Sequence, residues 1–174
     1  MLIVLGGLPG VGKTTIAREL ARLLGAVHIR IDSIELAIRE SGVTVVSIDD
    51  AGYRVGYAMA EDNLRLGHIV IADSVNPLPV TRDAWRAVAA RAAVSLAEVE
   101  VECSDREEHR RRVKQRLGAI PAWSGPTWEE VVSRDYRAWD REHIVIDTAG
   151  QELPQIVARL RAALPAQSSA PGPL

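Results

Sequence analysis

The sequence predicts an α/β fold, a three-layer sandwich in which a parallel sheet is covered by helices on both sides, and three observations carry that prediction. Short apolar runs alternate with amphipathic, helix-period stretches along most of the chain. The first runs are continuously apolar, as strands buried on both faces of a parallel sheet must be. Between the first run and the first helical stretch lies Gly7-Leu8-Pro9-Gly10-Val11-Gly12-Lys13-Thr14, a glycine-rich turn from strand to helix. At 174 residues, with 47% hydrophobic and 25% charged content, the chain is expected to form one domain around one core.

Each element follows from local pattern. Leu2 to Leu5 is the central strand candidate. Ile16, Leu20, Leu23 and Leu24 recur at helical spacing, and Gly25 is placed to end that helix. Val27 to Ile31 is a second, β-branched strand, which completes a right-handed βαβ unit and sets the glycine-rich turn at the carboxyl edge of the sheet. A helical stretch is expected over Ser33 to Glu40, broken by Ser41-Gly42, and 43–48 reads equally as a small strand or a loop. Tyr53, Tyr57, Ala60 and Leu64 mark a long helix from Asp49 to Gly67. His68 to Asp73 is a third buried strand ending in an acid, and Pro79 or Thr81 opens a helix with Trp85, Val88, Ala89 and Ala92 inward. Leu96 to Cys103 alternates Val99 and Val101 with Glu98, Glu100 and Glu102, which predicts a strand more exposed on one face than the first three and nearer the sheet edge, with Cys103 as a buried strand thiol. Ser104-Asp105 caps an arginine-rich helix. Gly118 to Thr127 is a Pro/Gly loop, and Trp128, Val131, Val132, Tyr136 and Trp139 form the stripe of a further helix. Ile144 to Ile146 is the fifth strand, Leu153 to Leu164 the last helix, and 165–174 a disordered Ser/Pro/Ala/Gly tail behind a single domain of 1–164.

The glycine-rich turn fits G-x-x-x-x-G-K-[ST], a pattern whose backbone N–H groups turn inward around the β-phosphate of a nucleotide. Gly10, Val11, Gly12, Lys13, Thr14 and Thr15 would then contact phosphate, Lys13 reaching the β- and γ-phosphates and Thr14 ligating Mg²⁺. Only Lys13 and Lys114 among the 21 basic residues are lysine, so a lysine here points to a compact charge. Asp32 and Asp73 stand at strand ends, where ligands of such sheets bind. Asp73 would hold Mg²⁺ through water. Asp32 faces the γ-phosphate or caps its helix with Glu35 three residues on, and the sequence supports both readings. Arg106, Arg110, Arg111, Arg112, Lys114 and Arg116 form a basic run, in which Arg112 and Arg116 share one face. Arg134, Arg137 and Arg141 offer further contacts to phosphate.

A net charge of −2 gives no overall basic field, so duplex nucleic acid is not an expected partner. The apolar start lacks a basic n-region, no run approaches membrane-spanning length, and a single cysteine fits a reducing cytoplasm.

With these motifs the chain resembles the small phosphate-loop kinases: nucleoside monophosphate, gluconate and adenylylsulfate kinases, chloramphenicol phosphotransferase and the kinase domain of polynucleotide 5'-kinase. Ile69 to Pro77, followed by Arg82 and Trp85, looks like the third strand and following helix of the polynucleotide kinase domain. The resemblance implies five parallel strands in the order 2-3-1-4-5, and Mg²⁺-dependent transfer of a phosphoryl group from ATP to a small-molecule hydroxyl. It also implies Asp32 as the base, Arg112 against the adenine, Arg116 as a lid arginine on phosphate, and Thr148 in the adenine site. Alternatives are a polynucleotide 5'-hydroxyl kinase, from which Glu35 departs where those enzymes have arginine, and a regulator with slow ATPase activity. The segment 106–141 would be a lid, with Trp123 in it, that orders Arg112 and Arg116 only when nucleotide is bound.

Overall fold

In the computed structural model, which describes residues 1–42, 50–119 and 125–165 and at 116–119 the backbone alone, Leu2–Gly6 (β1) is buried at every position. Parallel neighbours flank it on both sides: Val70–Asp73 (β3) and Leu96–Glu102 (β4). Val27–Arg30 (β2) pairs with β3, and Ile144–Asp147 (β5) pairs with β4. The sheet is therefore five-stranded and all parallel, in the order β2-β3-β1-β4-β5.

The period of two along β1 divides the core. Ile3 and Leu5 point to the side covered by Lys13–Leu24 (α1) and Leu153–Ala163 (α7), where Ile16, Leu20, Val157 and Leu160 are buried. Leu2 and Val4 point to the other side, beneath Ala51–Arg65 (α3) and Pro79–Arg91 (α4), where Leu64, Trp85 and Val88 are buried. Ile31–Glu40 (α2) packs against α3. Arg106–Ala119 (α5) and the short Trp128–Val132 (α6) form a third cluster through Val113, Trp128 and Val131.

The motif at the end of β3 is a buried scaffold. Asn76 donates from Nδ2 to Leu5 O at 3.0 Å and accepts the Trp85 indole N–H at 3.1 Å. Arg82, fully buried, donates to Asn76 O at 3.0 Å, Ala138 O at 3.1 Å and Arg137 O at 2.6 Å. The rings of Trp139 and Tyr136 lie 4.3 Å and 5.3 Å from its guanidinium carbon. Such a charge is tolerated in a core only because its donors are satisfied.

Four expectations are corrected. The helix after Thr127 stops at Val132, because backbone groups that would continue it are used elsewhere: Arg82 takes the 137 and 138 carbonyls, and Arg137 N–H donates to Pro77 O at 2.9 Å. Tyr136 and Trp139 thus belong to an irregular strap. That strap limits the exposure expected of the acidic side of β4, which runs from buried Glu98 to exposed Glu102: Glu98 pairs with Arg86 at 3.0 Å and Glu100 with His143 at 3.1 Å. Burial pushes the Glu98 carboxyl up, against the pull of Arg86 and Arg141. Cys103 lies one residue beyond β4 and is half-buried. Asp32 is not a helix cap: Arg30 is the N-cap of α2, so Asp32 falls in its first turn and no capping box with Glu35 exists. The expectations for 43–48, for Trp123 and for the tail after Pro165 lie outside the described residues.

Candidate active site

The loop between β1 and α1 can be built only with glycine at its turning points. Gly7 and Gly10 have φ of +136° and +89°, and a Cβ on them would stand 2.1 Å from Val101 O and 2.6 Å from Val113 Cγ2. Gly12 is the N-cap of α1, with φ of +105° and no side chain to satisfy the first-turn N–H groups. No acidic residue occupies that turn either. An uncapped helix N-terminus of this kind is built for an anion. Lys13 Nζ donates to Gly7 O at 2.6 Å and Leu8 O at 2.9 Å, which holds its charge over the loop. From outside, His109 Nε2 meets Pro9 O at 2.8 Å, so α5 braces the loop.

Arg112 and Thr148 come together as the sequence suggests. Arg112 donates from Nη1 to Thr148 Oγ1 at 2.8 Å and from Nη2 to Thr148 O at 3.1 Å and Glu108 at 2.7 Å. Thr148 in turn donates to Val11 O at 2.9 Å. Arg112 is thereby anchored by Thr148 and Glu108. A cavity of about 430 Å³ is lined by Gly10, Gly12, Lys13, Thr14, Arg112 and Thr148, with Leu153 and Ile156 as apolar walls. Thr15 lines it as well, while Val11 is buried behind the loop.

On the other side of Lys13 and Thr14 lies a second cavity, of about 340 Å³, lined by Asp32, Glu35, Arg39, Tyr53, Asp73 and Arg134 among others. Asp73 is nearly fully buried. Burial pushes its carboxyl up, but the hydrogen bond from His28, the Lys13 charge and the Thr14 hydroxyl outweigh burial and hold it below the ordinary aspartate range. Paired with the Thr14 hydroxyl, this ionised carboxylate suits Mg²⁺, which takes few protein ligands and completes its shell with water and phosphate oxygens. Asp32 accepts from Arg30 Nη2 at 2.9 Å, and Arg30 Nε lies 3.9 Å from Asp73, so one guanidinium spans both strand-end acids.

The remaining arginines divide. Arg106 lies 6.0 Å from the Trp128 ring, Arg111 is 3.8 Å from Glu108, Arg137 pairs with Asp135 at 2.8 Å, and Arg141 pairs with Asp83 at 2.7 Å. None of these four lines either cavity, nor does Arg110; Arg134 lines the second. The Arg116 side chain is outside the described residues. The sequence reading missed Arg30, His28, Arg39 and His109. The first two were within reach, since His28 and Arg30 alternate with the apolar Val27, Ile29 and Ile31 and so share the side on which Asp32 follows.

A family model described as an AAA domain matches residues 2–123, from β1 through the phosphate loop and past α5. The chain belongs to the AAA domain family. Within that family its fold is that of the small phosphate-loop kinases. An uncharacterized protein of Mycobacterium tuberculosis is 31% identical over 162 residues, covering 86% of this chain and 32% of that protein. The chain thus spans about a third of the length of the curated relatives it matches. Among solved structures, the Mycobacterium tuberculosis APS kinase CysC in complex with AMPPNP and APS is similar at a TM-score of 0.69 and 19% identity, over 92% of this chain and 95% of that one. Chaetomium thermophilum Kti12 in complex with ADP-AlF3 gives 0.68 and 23%, over 95% and 100%. At these identities the likeness is one of fold. Among the described residues no helix is long and apolar enough to cross a membrane.

Proposed function

We propose that the chain is a phosphotransferase that moves the γ-phosphoryl group of ATP to a hydroxyl of a small molecule. One observation carries the reading: Lys13 and Thr14 line both cavities, so a phosphoryl group leaving a nucleotide in the first enters the second, where Asp32 lies. The nucleotide reading is supported by the anchored Arg112 and the apolar walls at Leu153 and Ile156, and by the nucleotide analogues bound in the two solved relatives of the same fold.

In this mechanism Asp32, oriented by Arg30, accepts the proton of the acceptor hydroxyl as its oxygen attacks the γ-phosphorus. The bond to the β,γ-bridging oxygen breaks, ADP carries away that electron pair, and the acceptor leaves as a phosphate monoester. Lys13 and the first-turn N–H groups of α1 stabilise the charge spread over the transferred group. Mg²⁺, held by Thr14 and through water by Asp73, would supply further neutralisation of the phosphate oxygens. Arg116 is assigned to the phosphates on the resemblance alone. The cytoplasm, where ATP is abundant, is the assigned compartment.

The segment that most resembles polynucleotide kinases does not favour a polynucleotide acceptor, because Asn76, Arg82 and Trp85 are fully buried and hold the strap. The test is a screen of ATP consumption with nucleosides, sugars, hydroxy acids, antibiotics and 5'-hydroxyl oligonucleotides. Stimulation by a small hydroxyl compound, reduced by roughly 10²–10⁴ in Asp32→Asn, is expected. If no acceptor raises the rate, the phosphotransferase reading fails.

A further inference from the structure

The second cavity carries information about what binds in it. Asp32, Glu35 and Arg39 stand at i, i+3 and i+7 of α2, so they share one face, and Arg39 lies about 10 Å further along the helix axis than Asp32. Arg134, from the strap after α6, lines the same cavity. Its charge and that of Arg39 both reach Glu35 and favour its ionised form.

The charges around this space do not cancel. Asp32 is compensated by Arg30, and Asp73 by His28 and Lys13. That leaves Glu35 facing two guanidinium groups, of which Arg134 also acts on Glu130, and neither of which makes a hydrogen bond or a close ion pair with any described residue. Both side chains are exposed, and their elements are distant in sequence. By contrast Arg86, Arg91, Arg112 and Arg141, which line no part of this cavity, each meet a carboxylate within 3.0 Å. Unpaired guanidinium groups converging on a cavity are a fork for a carboxylate or a phosphate.

We infer that the acceptor is an anionic hydroxyl compound, its carboxylate or phosphate held by Arg39 and Arg134 at the end of the molecule away from the hydroxyl that Asp32 addresses. This rests on the phosphotransferase reading for the role of the hydroxyl, and on Arg39 and Arg134 alone for the charge. Glu35, between the two ends, accepts hydrogen bonds from the middle of the molecule. A compound with its charge in the middle would meet that carboxylate and be rejected.

The experiment separates the two ideas. With the phosphate loop filled by a non-hydrolysable ATP analogue and Mg²⁺, binding of gluconate against glucose, and of ribose 5-phosphate against ribose, is measured by calorimetry. The carboxylate pair and the phosphate pair identify which anion is preferred. The expected result is that one anion binds at least about tenfold more tightly than its neutral partner, and that Arg39→Gln and Arg134→Gln each remove most of that preference. Affinity for the ATP analogue should be unchanged in both variants, which also shows that they are folded. Equal binding within both pairs, binding of neither anion, or a preference that survives the double variant would overturn the inference. Anion binding that depends on both arginines, with no acceptor phosphorylated in the kinetic screen, would leave the inference standing and sink the phosphotransferase reading. Phosphorylation of neutral acceptors only would do the reverse.

Discussion

The two sides of Lys13 are built differently. On the nucleotide side two cations are already held by protein, Lys13 by the carbonyls of Gly7 and Leu8 and Arg112 by Thr148 and Glu108, while the exposed Arg18, which also lines that cavity, has no partner among the described residues. On the acceptor side Arg39 and Arg134 line the cavity as exposed side chains, both within electrostatic reach of Glu35 and neither hydrogen-bonded to a described residue. The first side is preorganised, so a nucleotide meets donors whose ordering has been completed by folding. The second side takes its arrangement from what arrives. Within one fold, the invariant half of the reaction is supplied by backbone and anchored side chains, while the variable half is left to long exposed side chains that can change without disturbing the sheet.

The largest expected effect falls on the shared wall. Lys13→Ala should lower kcat/KM by about 10³ and also weaken nucleotide binding, because it removes charge from ground state and transition state alike. Asp32→Asn should leave nucleotide affinity near normal, so a calorimetric titration of the two variants with ATP analogue separates their roles. Equal loss of affinity in both would erase the distinction between the two sides.

A second, smaller effect tests the anchoring. Thr148→Val removes the hydroxyl that accepts from Arg112 and donates to Val11 O. Nucleotide Kd should rise by about five- to tenfold, as for loss of one ordinary hydrogen bond, because Arg112 keeps its bonds to Thr148 O and Glu108. Arg39→Gln should leave the same Kd unchanged. If the two variants behave alike, preorganisation is not what divides the site.

Stability offers a third test. Asn76→Ala leaves the Trp85 indole N–H and the Leu5 carbonyl unsatisfied in the core, which should cost about 2–4 kcal/mol by denaturant unfolding. Glu35→Gln, on the acceptor side, should cost little at any pH.

The smallest effect is the pH dependence of that glutamate. Burial and the neighbouring Asp32 raise the Glu35 carboxyl above its ordinary value. A raised acid binds its proton more tightly in the folded state, so it favours folding as the pH falls through its raised pKa, and that gain is complete below the ordinary glutamate range. The wild type should therefore gain stability relative to Glu35→Gln between neutrality and about pH 4, by at most about 2 °C in Tm after allowing for solvent screening. A relative loss over that interval would mean that Arg39 and Arg134 dominate Glu35.

How much of this was legible in the sequence follows the same division. The strands and the phosphate loop could be read because they rest on strong local signals, continuous apolar runs and glycines at positions where a Cβ meets Val101 O or Val113, whereas the strand order came from the resemblance to the small phosphate-loop kinases. Asp73 was legible as an acid ending a buried strand. The strap was not, because Trp128, Val131, Tyr136 and Trp139 have helical spacing, and only Arg82, far away in sequence, diverts the backbone from it. Asp32 as a cap failed by two residues, since the helix begins directly at Ile31 without a loop. Arg39 looked like one exposed arginine among many, and its convergence with Arg134 is a property of the folded chain alone.

The position of β1 has a consequence for how the molecule acquires its activity. Leu2 must find Val70 on one side and Leu96 on the other before the central strand is complete, and the phosphate loop is an extension of that strand. Both closures span long stretches of chain, so their entropy is lost before any contact compensates, and such topologies fold slowly. The nucleotide pocket is thus among the last features to exist. ATP has no binding site on the unfinished chain, and by mass action it draws the population toward the completed sheet. On the phosphotransferase reading, ATP would double as a folding ligand, and energy depletion should lower the amount of the protein before it limits the rate of the reaction.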